Sequence, residues 1–239
     1  MIKPAIILVK SQLGENIGTA ARAMHNCGLD DLRLVSPKYG WPNEAAFKPS
    51  AGGISVLEKA RVFETTQDAI ADLNKVYAST ARMRDQTKYI YTPKGAAADF
   101  VEQIGSGNKV GILFGPEKSG LDNEDLVLCN AVINVPLNPE YTSLNLAQAV
   151  LLIGYEWFQA IADVEALTLR CGDAPIASKG ELTDLFEHLE KELDNSGFLR
   201  VKHKRPAMVR NIRNMLSRIP LTSQEVRTLR GIIASLVKK

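Results

Sequence analysis

AIILVKSQLGENIGTAARAMHNCG, residues 5–28, decides the fold. Its first part, Ala5 to Val9, is an unbroken apolar run with no polar alternation, as expected of a strand covered on both faces in a parallel sheet. A polar turn follows. Small and apolar residues then recur at helical spacing over Ile17 to Cys27, with Asn16 placed to cap the helix and Gly28 to stop it. The same rhythm continues along the chain. Strands are predicted at Leu32 to Val35, Arg61 to Phe63, Lys75 to Ala78, Val110 to Phe114 and Ala131 to Val135. Helices are predicted after Thr66, over Ala96 to Ile104 and over Asp122 to Cys129. Such alternation builds an α/β domain with helices on both faces of a small parallel sheet, here of six strands. A long helix closes it, its apolar stripe formed by Leu146, Val150, Ile153, Trp157 and Ile161.

Periodicity is lost between Val164 and Ala177, where Gly172, Asp173 and Pro175 mark a linker, so residues 1–163 read as one domain and 178–239 as another. In the second, Ser178 with Glu181 and Thr222 with Glu225 form capping boxes, Gly197 ends the first helix and Pro206 suits the first turn of the next. The overall net charge is only +2, but residues 198–239 carry eleven Lys/Arg against the single acid Glu225. This small helical domain is therefore strongly basic, which predicts a polyanionic partner.

Several classes are disfavoured. Cys27, Cys129 and Cys171 form no CxxC pair, so neither a disulfide framework nor a zinc ribbon is expected, and a reducing cytoplasm fits. His25, His188 and His203 have no ligand spacing with them, so no metal is expected. The opening apolar run stops at Lys10, too early for a secretion signal. Asn145, Gln148, Glu156 and Gln159 interrupt the most apolar stretch, Leu144 to Ala162, so no membrane span is predicted. Gly115 to Gly120 has the spacing of a P-loop glycine pair, but Leu121 and Asp122 stand where Lys and Ser/Thr would be needed.

Four segments carry candidate chemistry. Gly18, Thr19, Ala20 and Ala21 allow close approach to a helix start, with Arg22 one turn on; a phosphate or a packed backbone would satisfy this pattern. LFGPEKSGLDNEDL, residues 113–126, makes a tight turn at a strand's carboxyl end and offers Glu117 there. NVPLNPEYTSLNLAQA, residues 134–149, leaves a strand through Pro136 and Pro139 and gathers Thr142, Ser143 and Asn145 before the long helix, with Ser143 the simplest cap. In ASTARMRDQTKYIYTPK, residues 78–94, Arg82, Arg84, Lys88 and Lys94 are interleaved with Tyr89 and Tyr91, a pattern suited to phosphates and unpaired bases, or to a solvated loop.

Taken in order, NIGTAARAM (16–24), FGPEKSGL (114–121) and NPEYTSLNLAQA (138–149) resemble the three motifs of the SpoU/TrmH-type methyltransferases of the SPOUT superfamily. GFLR (197–200) and LRGIIAS (229–235) extend the likeness to the TrmJ branch, over nearly the whole chain. The resemblance implies a parallel-sheet SPOUT fold with a C-terminal deep trefoil knot, S-adenosylmethionine as cofactor, and a homodimer packed through the knot helices. Ile17 to Cys27 and Leu144 to Ala162 are the interface candidates.

It also implies methylation of the ribose 2′-hydroxyl at the 5′-most nucleotide of the tRNA anticodon loop. A ribosomal RNA substrate or a non-catalytic RNA-binding role are the alternatives. On the matching positions, Arg22, Asn16, Glu117, Ser143 and Asn145 fall on catalytic motif residues. Ser79, Thr80, Ala81, Gly115, Val135, Thr142, Ser143 and Leu144 fall on the cofactor site. Arg82, Arg84, Lys88, Arg210, Arg213 and Arg218 are the RNA-binding candidates. Pro116 departs from the arginine common in that branch.

Overall fold

The computed structural model describes residues 2–81, 87–162 and 173–238. The chain divides into two compact units, Met1–Val164 and Glu165–Lys239. Among its described residues the first contains seven strands: β1 Ala5–Val9, β2 Leu32–Val35, β3 Arg61–Phe63, β4 Lys75–Ser79, β5 Tyr89–Tyr91, β6 Val110–Phe114 and β7 Ala131–Ile133. They form one sheet in the order β3-β2-β1-β6-β4-β7-β5, with every pairing parallel. Alternate residues serve opposite faces, as the pleat requires. Ile6 and Leu8 pack under α1 (Gly14–Asn26), α5 (Pro93–Gly105) and α7 (Leu146–Ile161), whereas Ile7 and Val9 join Val76, Ala78, Leu113 and Leu126 on the other face, beside α4 (Thr66–Ile70) and α6 (Asn123–Val127).

The seventh strand, β5, is one more than the sequence pattern predicts. Tyr-Ile-Tyr suits a pleated edge, and it pairs with β7 while the Tyr91 ring meets Tyr77 edge-on at 6.0 Å. Its basic neighbours give it the pattern of a loop. Between β2 and β3 the chain also forms two short helices, α2 (Phe47–Ser50) and α3 (Ile54–Glu58), which pack on α1. They are too short to show a period. Their approach explains the small residues of α1: a Cβ at Gly18 would lie 2.0 Å from the Ala46 carbonyl oxygen, and one at Gly53 would lie 2.8 Å from that of Ala21. Backbone packing, not a phosphate, is what comes close there.

Two capping expectations change. α1 begins at Gly14, and Leu13 at its cap position makes no side-chain cap, so Asn16 lies inside the helix. α7 is capped by Asn145 in a box with Gln148, not by Ser143. The second unit follows its sequence signals closely. α8 (Lys179–Asn195) and α10 (Ser223–Val237) start with the Ser178 and Thr222 boxes, α9 (Arg205–Ser217) carries Pro206 in its first turn, and Gly197 has φ +79. Leu182, Leu185, Phe186, Leu221 and Val226 form its core.

At the amino-terminal end of the sheet, the Arg33 side chain on β2 is only 3% exposed. It binds Asp31 at 2.9 Å, Asp72 at 2.5 Å and the Ala69 carbonyl at 2.6 Å. Burial alone would raise the Asp31 pKa, but Arg33 and Arg61 outweigh it; for Asp72 the Arg33 hydrogen bond dominates. Both carboxyls are therefore held below the ordinary aspartate value. Their contribution to stability is present above about pH 4 and is lost as pH falls through the folded values. Arg33→Ala should cost about 1–3 kcal/mol by leaving the Ala69 carbonyl and two part-exposed carboxylates without their shared donor. Urea titrations of both proteins between pH 3 and 7 test this: the wild-type midpoint should fall more steeply in acid than the variant's, and parallel curves would contradict it.

Candidate functional site

Strand register brings the chemical segments together. Ser79 on β4 lies level with Phe114 on β6 and with Ile133 on β7, and Leu8 on β1 is also level with Phe114. The loops leaving these strands therefore open on one edge of the sheet, the carboxyl edge where open α/β folds bind ligands. There a cavity of about 330 Å³ is bounded by the exits of β4, β6 and β7 and by the entry to α7. Ser79, Thr80, Ala81, Gly115, Val135, Thr142, Ser143 and Leu144, the eight cofactor-site candidates, all line it. Phe114, Pro116, Lys118, Ile133, Leu137 and Leu146 add to the wall.

The walls are fixed by backbone contacts. The Thr80 amide donates to the Ile133 carbonyl at 3.2 Å, and Asn134 Nδ2 donates to the Thr80 carbonyl at 3.2 Å. β7 ends at Ile133, two residues earlier than predicted, and the Asn134 amide just beyond it still donates to the Tyr91 carbonyl of β5 at 2.9 Å. Below Glu117, a Cβ on Gly115 would lie 2.2 Å from the Leu121 amide nitrogen, so only glycine lets this turn close on itself.

Glu117 joins three segments of the chain. Its Oε1 accepts from Asn16 Nδ2 at 2.8 Å and from Ser11 Oγ at 3.3 Å, and its Oε2 accepts from the Gln12 amide at 2.9 Å. Asn16 Oδ1 in turn accepts from Asn145 Nδ2 at 3.2 Å. Asn145 Oδ1 accepts from the Ala147 amide at 2.9 Å, so both ends of that side chain are engaged. Burial alone would lift the Glu117 pKa, but hydrogen bonds from Asn16 and from the amides of Glu117, Gln12 and Leu13 outweigh it, holding the carboxyl below the ordinary glutamate value. Glu117 is an anchored anion rather than a proton donor.

Arg22 does not line the cavity of its own chain. It is exposed on α1 and makes no hydrogen bond or ion pair with any described residue. Ser143 is also exposed. Among the RNA-binding candidates, Arg82 and Arg84 lie outside the described residues. Lys88 donates to the Cys129 carbonyl at 2.5 Å, and Arg213 pairs with Glu190 at 2.6 Å over the Phe186 ring, so both are engaged within the chain. Arg210 and Arg218 are exposed. Among the described residues no group of three or more His, Cys, Asp or Glu could hold a metal ion, and no helix is long and apolar enough to cross a membrane.

Residues 3–155 match the SpoU rRNA Methylase family. The chain belongs to that family. Residues 180–239 of this SpoU methylase match the C-terminal domain of the tRNA methyltransferase TrmJ. A crystal structure of TrmJ from Z. mobilis ZM4 aligns with a TM-score of 0.84 at 47% identity, covering 98% of this chain and 99% of that one. A Photorhabdus laumondii protein named tRNA (cytidine/uridine-2′-O-)-methyltransferase TrmJ is 35% identical over 98% of this chain and 96% of its own. The SpoU methyltransferase AviRb from Streptomyces viridochromogenes, solved with AdoMet, shares the fold at 18% identity and a TM-score of 0.53, over 65% of this chain and 56% of its own.

In this SpoU methylase, Glu117→Gln would turn one acceptor oxygen into a donor facing Asn16 or the Gln12 amide. Losing a charge-assisted bond and opposing two donors should cost about 1.5–3 kcal/mol. Thermal and urea unfolding at pH 7 measure it. A variant as stable as wild type would mean that the carboxylate does not join these turns.

Proposed function

We propose that this SpoU methylase moves a methyl group from S-adenosylmethionine to the ribose 2′-hydroxyl of a pyrimidine, the 5′-most nucleotide of the tRNA anticodon loop. The observation that carries this reading is the meeting of the second and third motif turns with the β4 exit at one cavity, to which the first motif is tied by Asn16 through its bonds with Glu117 and Asn145. The TrmJ-type C-terminal match and the tRNA (cytidine/uridine-2′-O-) relatives support the substrate class.

The cavity suits the cofactor. At about 330 Å³ it falls in the range of small-ligand sites. Ile133, Leu137, Leu144 and Leu146 offer apolar surface for a purine, and the Ser79, Thr80, Thr142 and Ser143 segments offer polar groups for the ribose and amino-acid ends. We read these turns as the part of the chain that the family threads into its knot. When bound, the cofactor supplies a sulfonium methyl that is already electrophilic.

What remains for the protein is to align the ribose oxygen and ease loss of its proton. A guanidinium keeps its proton at physiological pH, so Arg22 acts by charge, gripping the phosphate beside the target and stabilising the developing alkoxide. Asn145 is anchored at both ends by Asn16 and the Ala147 amide, and the exposed Ser143 hydroxyl, the remaining Asn145 N–H or a substrate phosphate relays the proton.

The enzyme works as a homodimer. α7 leaves Leu151, Leu152, Tyr155, Phe158 and Ile161 exposed along one helix, more apolar surface than an isolated face warrants. Arg22, outside its own cavity, then serves the partner's. The basic helical domain holds tRNA, with the exposed Arg210 and Arg218 among the cations that carry no ion pair with a described residue, and the enzyme acts in the cytoplasm.

Arg22→Ala should reduce methyl transfer to an unmodified tRNA transcript by at least about a hundredfold while sparing cofactor affinity; unchanged turnover would end this assignment. Replacing Arg210 and Arg218 with glutamine should flatten the dependence of log tRNA affinity on log salt by about 0.7–0.9 for each phosphate no longer neutralised. An unaltered slope would move the RNA-binding surface elsewhere.

A further inference from the structure

We propose that Tyr141 and Lys118 form the subsite for the target nucleotide at the mouth of the cavity, the tyrosine ring stacking on the base and the ammonium holding an adjacent phosphate. This rests on the ribose-methylation reading and goes further by naming what grips the nucleotide.

Tyr141 stands on a loop with little freedom. Pro136 and Pro139 fix their backbone φ angles, Asn138 Oδ1 accepts from the Glu140 amide at 3.1 Å, and the Asn138 carbonyl accepts from the Tyr141 amide at 2.9 Å. The next three residues, Thr142 to Leu144, line the cavity, yet Tyr141 itself is 74% exposed. A single exposed aromatic is ordinary on a protein surface. A ring held in solvent by two prolines and an Asn turn, immediately before the cavity wall, is already arranged for a flat partner and would lose little entropy on meeting one.

Lys118 comes from a second rigid turn. The Gly120 amide donates to the Pro116 carbonyl at 2.8 Å, Gly120 has φ +67, and Gly115 permits the close backbone approach to Leu121. The cavity lining carries two charged side chains, Glu117 and Lys118. Glu117 is committed to Asn16 and the Gln12 amide, whereas Lys118 is exposed and forms no ion pair with a described residue. With Pro116 beside it bringing no charge, Lys118 is the cation this turn can offer to RNA. Any base presents a π-face to an aromatic ring, and a ribose whose hydroxyl must enter the cavity brings its phosphates to the rim. Ring and ammonium thus divide the nucleotide between them.

The test uses the full-length protein with Tyr141→Phe, Tyr141→Ala, Lys118→Arg and Lys118→Ala. Calorimetry with S-adenosylhomocysteine reads the donor site, and methyl transfer to unmodified tRNA at several salt concentrations reads the nucleotide. Donor-product affinity should stay within about twofold for all four. Tyr141→Ala should lower kcat/KM for tRNA by about ten- to hundredfold with an unchanged salt slope, and Tyr141→Phe should restore it. Lys118→Ala should flatten the slope by about 0.7, with Lys118→Arg retaining it. Wild-type turnover by Tyr141→Ala overturns the stacking role. Weaker S-adenosylhomocysteine binding by Lys118→Ala with an unaltered salt slope assigns the ammonium to the donor's carboxylate and overturns the phosphate role. If wild-type protein binds S-adenosylhomocysteine but leaves tRNA unmethylated, the methylation reading falls and the subsite with it; active wild type with silent variants removes the subsite alone.

Discussion

A half-buried carboxylate is costly unless hydrogen bonds replace the water it loses, and Glu117 recovers that loss from groups brought together by the turn after β1 and by α1. Because the side chain leaves from the turn after β6, satisfying it fixes the two exits of adjacent strands relative to each other. Asn16 passes the constraint on to Asn145, at the start of α7, more than a hundred residues away in sequence. The cavity walls come from the turn after β6, the start of α7 and the exits of β4 and β7. Its shape is thus a consequence of where one anion can be kept ionised.

The sheet makes such a clamp possible. β1 and β6 are neighbours although more than a hundred residues separate them, and their register sets Leu8 level with Phe114, so Ser11 and Gln12 emerge beside Glu117. Apolar runs covered on both faces hold that register, since a one-residue slip would exchange the side chains that face the two helical layers. At the opposite end of the strands, Arg33 performs a comparable task with reversed sign, a buried cation surrounded by carboxylates. Each end of the sheet is therefore pinned by one ion that ties together segments distant in sequence, residues 31–33 with Asp72 at one end and residues 11–16 with Glu117 at the other.

This arrangement also explains what the sequence could convey. Strands β1, β2, β3 and β6 have the bounds predicted from apolar runs, and the Ser178 and Thr222 boxes cap the expected helices, because those signals act over a few residues. The choice of cap for α7 is not local. Ser143 and Asn145 both carry an acceptor, and the structure uses the one whose amide also reaches Asn16. Asn16 has the residue type of a cap for a matching reason, although its side chain is committed to Glu117. β5 is hidden because an edge strand of three residues has no period, and α2 and α3 are visible mainly through the glycines they require in their neighbours. That eight separated positions line one cavity could be anticipated from motif resemblance, not from periodicity. Charge counting places Arg213 with the RNA-binding residues, but only coordinates separate a cation paired with Glu190 from a free one.

The first motif then has two faces with different duties. Gly18, Ala20 and Ala21 are buried and let the backbones of the α2 and α3 segments and the sheet come close, which fixes α1 rigidly. Arg22 is exposed on that helix and lies outside the lining of its own chain's cavity, and a long cation without a described partner has little to do within one copy. α7, packed against α1, leaves its outer apolar residues uncovered. A partner laid on α7 would bury that surface, and it would also lie beside the helix that carries Arg22. On this reading, association and catalysis depend on the same helix pair: the interface that removes apolar surface from water also delivers the guanidinium to a second chain's cavity. Dissociated copies would then keep an intact cofactor cavity while lacking its charge-stabilising group.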